Sequence, residues 1–272
     1  MCYICTAQVN STVFGNQFMR VNEEILIKYL DNYGLDIFTK EQLREAALMG
    51  DSQLNFVLAS LIRSKYIDII ERGKYCKHNF RDHFVIGSFV AENAIISYWN
   101  AMNYHGLTEQ IPNVIYVKTN KDKRSKTYFG IRYFFTRKAG KCISGYITEG
   151  VGNHKYRISN IERTLVDAFD KPKFSGGYAE IIKAFSRAKI DENKLIEYCK
   201  EENNISLVKR LAYLADILNK PQMSNFLKYS KSLIKNKYTL FEIDGEPNGV
   251  VDNKWKIILN IPKEEILEIA ES

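Results

Sequence analysis

Residues 39–77 read TKEQLREAALMGDSQLNFVLASLIRSKYIDIIERGKYCK, and the order of signals in that stretch decides the fold. Thr39 stands three residues before Gln42, the spacing at which two side chains cap each other's backbone N–H groups, so a helix starts here. Leu43, Ala46 and Ala47 give it a short apolar face, and Gly50 ends it. Asp51 then reads as the cap of a longer helix in which Leu54, Val57, Leu58, Leu61 and Ile62 recur at i, i+3, i+4, i+7 and i+8. Two helices about Met49-Gly50-Asp51 make a helix-turn-helix. Tyr66 to Ile70 is β-branched and aromatic, Glu71-Arg72-Gly73-Lys74 is a turn, and Tyr75 to Lys77 returns as a second short strand, which together predict a hairpin.

Upstream, Asn22 precedes Glu23 and Glu24, which suit the positive end of a helix, and Ile25, Leu26, Tyr29, Leu30 and Tyr33 follow at helical spacing until Gly34. Three helices and then a hairpin predict a winged helix-turn-helix over residues 21–82. Residues 1–20 show little periodicity and read as a frayed, disordered leader or a mis-called start, and are set aside.

In a winged helix the third helix enters the major groove by its N-terminal half, so the side chains off its apolar stripe carry the information: Ser52, Gln53, Asn55, Phe56, Ser60 and Arg63. Asn and Gln can pair bidentately with adenine, Arg with guanine, and a phenyl ring can touch a thymine methyl. Thr39 and Lys40 at the second helix, and Arg72, Lys74 and Lys77 in the wing, are placed for phosphates. Residues 22–82 hold nine Lys or Arg against ten Asp or Glu, so this reading rests on placement and not on net charge. The alternative is a winged helix that serves as a protein-interaction module, its polar face simply solvated.

The remainder, residues 92–272, reads as a larger mixed α+β domain. A helix is expected over Glu92 to Asn103, strands at Val114 to Lys118, Tyr128 to Phe135 and Ile143 to Ile147, and a helix capped by Ser159 with Glu162 and stopped by Pro172. Helices then run to about Lys237, followed by strands near Tyr238 to Ile243 and Trp255 to Asn260 and a last helix after Pro262. The stretch between the domains, about 82–92, has little periodicity of its own, so each part is expected to fold alone. Lys118 to Lys141 carries nine Lys or Arg against Asp122 alone, with Tyr128, Phe129, Tyr133, Phe134 and Phe135 interleaved. Such a mixture can supply phosphate contacts and stacking platforms, or it is a solvated loop joined to a strand whose rings are core.

The chain has 272 residues, 45% hydrophobic and 12% aromatic, enough to bury a core. No apolar run reaches the ~18 residues needed to span a bilayer, and no signal peptide opens it, so a cytoplasmic protein without membrane contact is expected. Five scattered cysteines, Cys2, Cys5, Cys76, Cys142 and Cys199, fit reduced thiols better than a disulfide framework, and Cys2-x-x-Cys5 lacks a second ligand pair. His78, His83, His105 and His154 lie apart, and neither a phosphate-cradling glycine loop nor a nucleophile elbow occurs. Glu162 and Asp167, five apart on a helix, do not share a face. Glu192 and Lys194 match a nuclease-like Glu-x-Lys spacing but sit at a helix start instead of on a strand. No catalytic residue, metal or cofactor is predicted, and a nuclease-like enzyme with an unrecognised active site is the alternative class.

Four segments carry a resemblance: Arg72-Gly73-Lys74-Tyr75; the run Ser97-Tyr98-Trp99-Asn100-Ala101-Met102-Asn103-Tyr104-His105-Gly106-Leu107-Thr108; Ile161-Glu162-Arg163-Thr164-Leu165-Val166-Asp167 with Pro172 and Gly176-Gly177; and Trp255 before the closing strand. In their order and spacing the chain resembles AbiEi-type antitoxins of abortive-infection, antiviral toxin–antitoxin operons. The resemblance implies a transcriptional autorepressor whose winged helix binds inverted repeats in double-stranded operator DNA. It also implies a C-terminal domain that neutralises a nucleotidyltransferase-like toxin without requiring a stable complex. On that reading Lys121, Lys123, Arg124, Lys126, Arg132 and Arg137 form the candidate antitoxin surface.

Overall fold

The computed structural model describes residues 22–47, 49–138 and 144–272. The leader at 1–20, Cys2, Cys5, Lys141 and Cys142 lie outside the described residues. The chain divides into two units, one running to Ile86 and including Gly150–Lys155, the other comprising Gly87–Glu149 and Tyr156–Ser272. The class is α+β.

In the first unit, helix α1 covers residues 22–32. It is followed by β1 (Ile37–Thr39), α2 (Lys40–Ala47), α3 (Asp51–Arg63), β2 (Ile67–Glu71) and β3 (Lys74–Lys77). Both predicted capping bonds at Thr39 form: its amide donates to Gln42 Oε1 at 2.8 Å, and the Gln42 amide donates to Thr39 Oγ1 at 3.2 Å. The wing turn needs Gly73, whose φ is +76°, a conformation a Cβ would strain. Two expectations change. Gly50, not Asp51, is the N-cap of α3; no side chain caps it, and Asp51 begins the helix and pairs with Lys40 at 3.2 Å. Ile37-Phe38-Thr39, unassigned from sequence, is a strand that pairs antiparallel with β3, giving the sheet order β1-β3-β2. Leu26, Leu30, Phe38, Leu43, Leu54, Val57, Leu58, Leu61 and Ile67 form the core, each large side chain contributing roughly 1.5–3 kcal/mol by leaving water.

The open edge of β1 is closed by one side chain. Asn153 Oδ1 accepts from the Ile37 amide at 2.8 Å and its Nδ2 donates to the Ile37 carbonyl at 2.9 Å, so the carboxamide acts as a one-residue strand. Beside it His154 Nε2 lies 2.7 Å from Asp36 Oδ2, with the imidazole against the Phe80 ring.

The second unit is built on a six-stranded sheet in the order β6-β7-β5-β4-β9-β8. Its strands are β4 (Ile95–Ile96), β5 (Val114–Thr119), β6 (Lys126–Tyr128), β7 (Ile131–Arg137), β8 (Tyr146–Glu149) and β9 (Tyr156–Ser159). The pairs β5/β7 and β4/β9 are parallel and the others antiparallel. Residues expected to be featureless hold α4 (His83–Val90), within which the division falls. Gly87 lets this helix approach the sheet: a Cβ there would lie 2.9 Å from Ile96 Cδ1. The helix expected over Glu92 to Asn103 is instead β4 followed by α5 (Trp99–Tyr104). Ile95 and Ile96 are β-branched and fully buried between β5 and β9, and that packing overrides the helical spacing.

Helix α6 (Ile161–Asp170) is capped by Asn160, which accepts from the Arg163 amide at 2.9 Å, not by Ser159 with Glu162. Ser159 meets Ser97 at 3.0 Å, and Glu162 accepts from the Asp191 amide at 2.9 Å, next to the start of α8. A 3-10 turn at Pro172–Phe174 follows, then α7 (Tyr178–Arg187), α8 (Glu192–Glu202), α9 (Ile205–Ile217) and α10 (Ser224–Leu233). The chain continues through β10 (Thr239–Leu240), β11 (Val250–Asp252), β12 (Ile257–Leu259) and α11 (Lys263–Glu271). Leu165, Phe169, Ile181, Phe185, Leu211, Phe241 and Trp255 share one core. Cys76 and Cys199 are free and buried, and burial pushes each thiol up to about 12. No helix among the described residues is long and apolar enough to cross a membrane.

Candidate nucleic-acid interface

With Leu54, Val57, Leu58 and Leu61 turned into the core, helical geometry forces the intervening residues of α3 outward. Ser52, Asn55, Phe56, Ala59 and Arg63 are exposed in a single stripe, and Gln53 and Ser60 flank it partly covered. Phe56 is 54% exposed, too much for a core ring. Arg63 and Arg72, the latter at the exposed wing tip, enter no ion pair among the described residues. The wing tip is tied to the helix-turn-helix by the Lys40 amide, which donates to the Gly73 carbonyl at 2.8 Å. Ala59 in this stripe, and Ile69, 51% exposed on β2, escaped the sequence reading. Regular alternation would put Ile69 on the face of buried Ile67; its exposure coincides with the register shift between Ile69 and Glu71, which no local sequence signal marks.

The other basic residues assigned to phosphates are differently employed. Lys77, placed for phosphates from the sequence, bridges Asp31 at 2.9 Å and Asp36 at 3.1 Å. Hydrogen bonds from Lys77 and then Tyr66 hold the Asp31 carboxyl below its ordinary range. Lys74 pairs with Glu71 at 3.0 Å, and Lys40 with Asp51. At the wing base, burial alone would raise Asp68, but hydrogen bonds from His78 and Arg81 outweigh it and keep this carboxyl ionised below its usual value. Five of the nine basic residues of 22–82, Lys40, Arg44, Lys74, Lys77 and Arg81, are paired with acids, whereas Arg63 and Arg72, like Lys28 and Lys65, are exposed without an ion pair among the described residues.

The basic segment of the larger unit is dispersed by the fold. Lys118 is buried against Asp167. Lys121 pairs with Glu92, Arg137 with Asp122 at 2.7 Å, and Lys123 Nζ donates to the Val90 carbonyl at 2.9 Å. Arg124, Lys126 and Arg132 remain exposed. Tyr128, Tyr133 and Phe135 are buried, as expected of core rings. Among the described residues no three His, Cys, Asp or Glu side chains stand close enough to hold a metal ion.

No family model and no curated protein matches the chain. Among solved structures it is similar to the crystal structure of the Rv2827c protein from Mycobacterium tuberculosis, at 13% sequence identity and a TM-score of 0.65. The match covers 93% of this chain and 95% of that one, so it runs through both units. At that identity the likeness is one of fold.

Proposed function

We propose that this protein is a cytoplasmic, DNA-binding autorepressor and the antitoxin of a toxin–antitoxin operon of the abortive-infection kind. The observation that carries the DNA-binding half is the outward stripe Ser52, Asn55, Phe56, Ala59 and Arg63 on α3, with Arg72 exposed at the wing tip of the same unit. Asn55 and Arg63 supply donors in the geometry that reads adenine and guanine edges, and Arg72 supplies a phosphate contact. The antitoxin half rests on the resemblance, whose segments Ser97–Thr108 and Ile161–Asp167 fall in the larger unit. There Arg124, Lys126 and Arg132 are the exposed cations suited to a toxin-neutralising role.

The test is fluorescence anisotropy on duplex DNA taken from ahead of the protein's own gene. Asn55→Ala and Arg63→Ala should each cost about 1–3 kcal/mol at one base position and relax sequence preference. Equal binding of operator and scrambled duplex by wild type and both variants would sink the assignment of α3. Co-expression with the adjacent gene product checks the second half: an Arg124→Glu/Lys126→Glu/Arg132→Glu variant that folds should fail to restore growth. A second reading, a protein-interaction module, draws on the exposed Phe56 and Ile69 and would be favoured by a chain that binds no duplex at all.

A further inference from the structure

The larger unit carries an aromatic and basic shelf distinct from the winged helix. In the parallel pair β5/β7, Tyr116 stands opposite Phe134 and Val114 opposite Arg132. Residues two apart on a strand share a face, so Arg132, Phe134 and Tyr116 lie on one side of the sheet. The Pro172–Phe174 turn brings a third ring to that side, its centroid 5.0 Å from Phe134 and 5.6 Å from Tyr116. Tyr98, buried, closes the back edge-on to Phe174 at 5.3 Å. Tyr116, Phe134 and Phe174 are only partly covered. A cleft of about 470 Å³ opens beside them, lined by Phe134, Thr136, Lys171, Lys173 and Phe174.

The charges around this cleft are unequally satisfied. Two acids line it, Asp170, which accepts from Asn204 at 3.1 Å, and Asp244, against Lys171, Lys173 and Arg137, the last of which is held by Asp122 at 2.7 Å. Arg132, Lys171 and Lys173 have no acidic partner among the described residues, and the Lys173 ammonium sits 5.1 Å over the Phe174 ring. Partly bared ring faces beside unpaired cations are the two components by which proteins hold unpaired nucleotides, a base stacking on the ring and its phosphates meeting the cations. A duplex cannot use such a cleft, because its bases already stack on one another.

We propose that this shelf binds single-stranded nucleic acid, one base stacking on Phe134 and Phe174 while flanking phosphates meet Lys171, Lys173 and Arg132. This activity is separate from duplex recognition by α3 and does not depend on it. The probe is a fluorescein-labelled oligothymidylate of about twelve residues, within the span such grooves bind, titrated with the full chain at low salt. Phe174→Leu, which keeps an apolar side chain and removes the ring, should weaken binding about tenfold, the loss of one stacked base. Lys171→Ala/Lys173→Ala should flatten the slope of log affinity against log salt by about 1.4, near 0.7 per phosphate on a single strand. Arg72→Ala in the wing should leave the single-strand affinity unchanged. The idea is overturned if wild type does not bind the oligomer, or if an unlabelled duplex of equal length competes as well as the single strand. It is overturned equally if the lysine variant, shown to be folded by circular dichroism, binds with wild-type affinity and slope.

Discussion

Replacing Lys118 with Met isolates the most heavily buried ion pair in the described chain. The side chains of Lys118 and Asp167 are 4% and 2% exposed, and the second Asp167 oxygen, Oδ2, has no hydrogen-bond partner. Burial pushes the Asp167 carboxyl up and the Lys118 ammonium down, and each charge offsets part of the other's loss of water. Arg163 is nearby, but its guanidinium is committed to Glu201 and to Glu202 at 3.0 Å. Removing one partner of such a pair costs about 3–5 kcal/mol, near 10 °C in melting temperature for a chain of this size. Both tryptophans, Trp99 and Trp255, belong to the larger unit, so fluorescence excited selectively at tryptophan and followed in urea reports that unit alone. The deficit should also depend on pH. In Lys118→Met the folded carboxyl titrates above its unfolded value, so its contribution is fully present below the ordinary carboxylate range and is lost as pH rises through the folded value. The variant should therefore be closer to wild type near about pH 5 than near about pH 8. Lys118→Met/Asp167→Leu removes both charges and should recover most of the loss. A single variant within about 1 kcal/mol of wild type, or a double variant no better than the single, would refute the claim that these charges are desolvated and interdependent.

Two further outcomes follow from the first unit. Arg72→Ala should flatten the salt dependence of duplex binding by about 0.9, while Lys77→Ala, whose ammonium is already held by Asp31 and Asp36, should leave that slope as it is, as measured by anisotropy across a salt series. Asn153→Ala strips both partners from the buried backbone of Ile37 and should cost about 1–3 kcal/mol, read as faster hydrogen exchange at the Ile37 amide; a fragment ending at residue 82 should show the same loss because it lacks Asn153 altogether.

The winged helix was legible because its signals are local. A Thr-x-x-Gln box, a thirteen-residue amphipathic helix and a Gly-centred turn each act within a few residues, and the structure realises all three. What escaped was set by distant partners. Ile37-Phe38-Thr39 is three residues long and becomes a strand only because β3 returns beside it. Ile95-Ile96 satisfied a helical pattern with Trp99 and Met102, yet the pair is claimed by two strands. The capping box at Ser159 failed for a related reason: Asn160, one residue on, is an equally good acceptor, and Glu162 had a better donor in the Asp191 amide. At the candidate interface, the α3 stripe followed from periodicity, whereas the pairing of Lys77 and Lys40 needed the acids of other elements to be placed first.

The segments that carry the resemblance are, with few exceptions, the ones that lock the larger unit together. Ser97 meets Ser159, His105 Nε2 lies 2.7 Å from the Ser159 carbonyl, and Asn100 accepts from the Tyr116 amide at 2.7 Å. Thr108 donates to Glu180, Asp167 pairs with Lys118, and Trp255 donates to Asp216 at 2.9 Å. Gly176, at a φ of +80°, lets Trp99 pass where a Cβ would stand 2.9 Å from the indole. Such residues are constrained by packing, and any chain that keeps them keeps this architecture whatever it binds. The groups that would select a ligand, Ser52, Asn55 and Arg63 on α3 and Arg132, Lys171 and Lys173 around the shelf, point outward and are free to vary without disturbing those contacts. The architecture and the proposed specificity therefore reside in different residues, and sharing the first does not by itself fix what is bound.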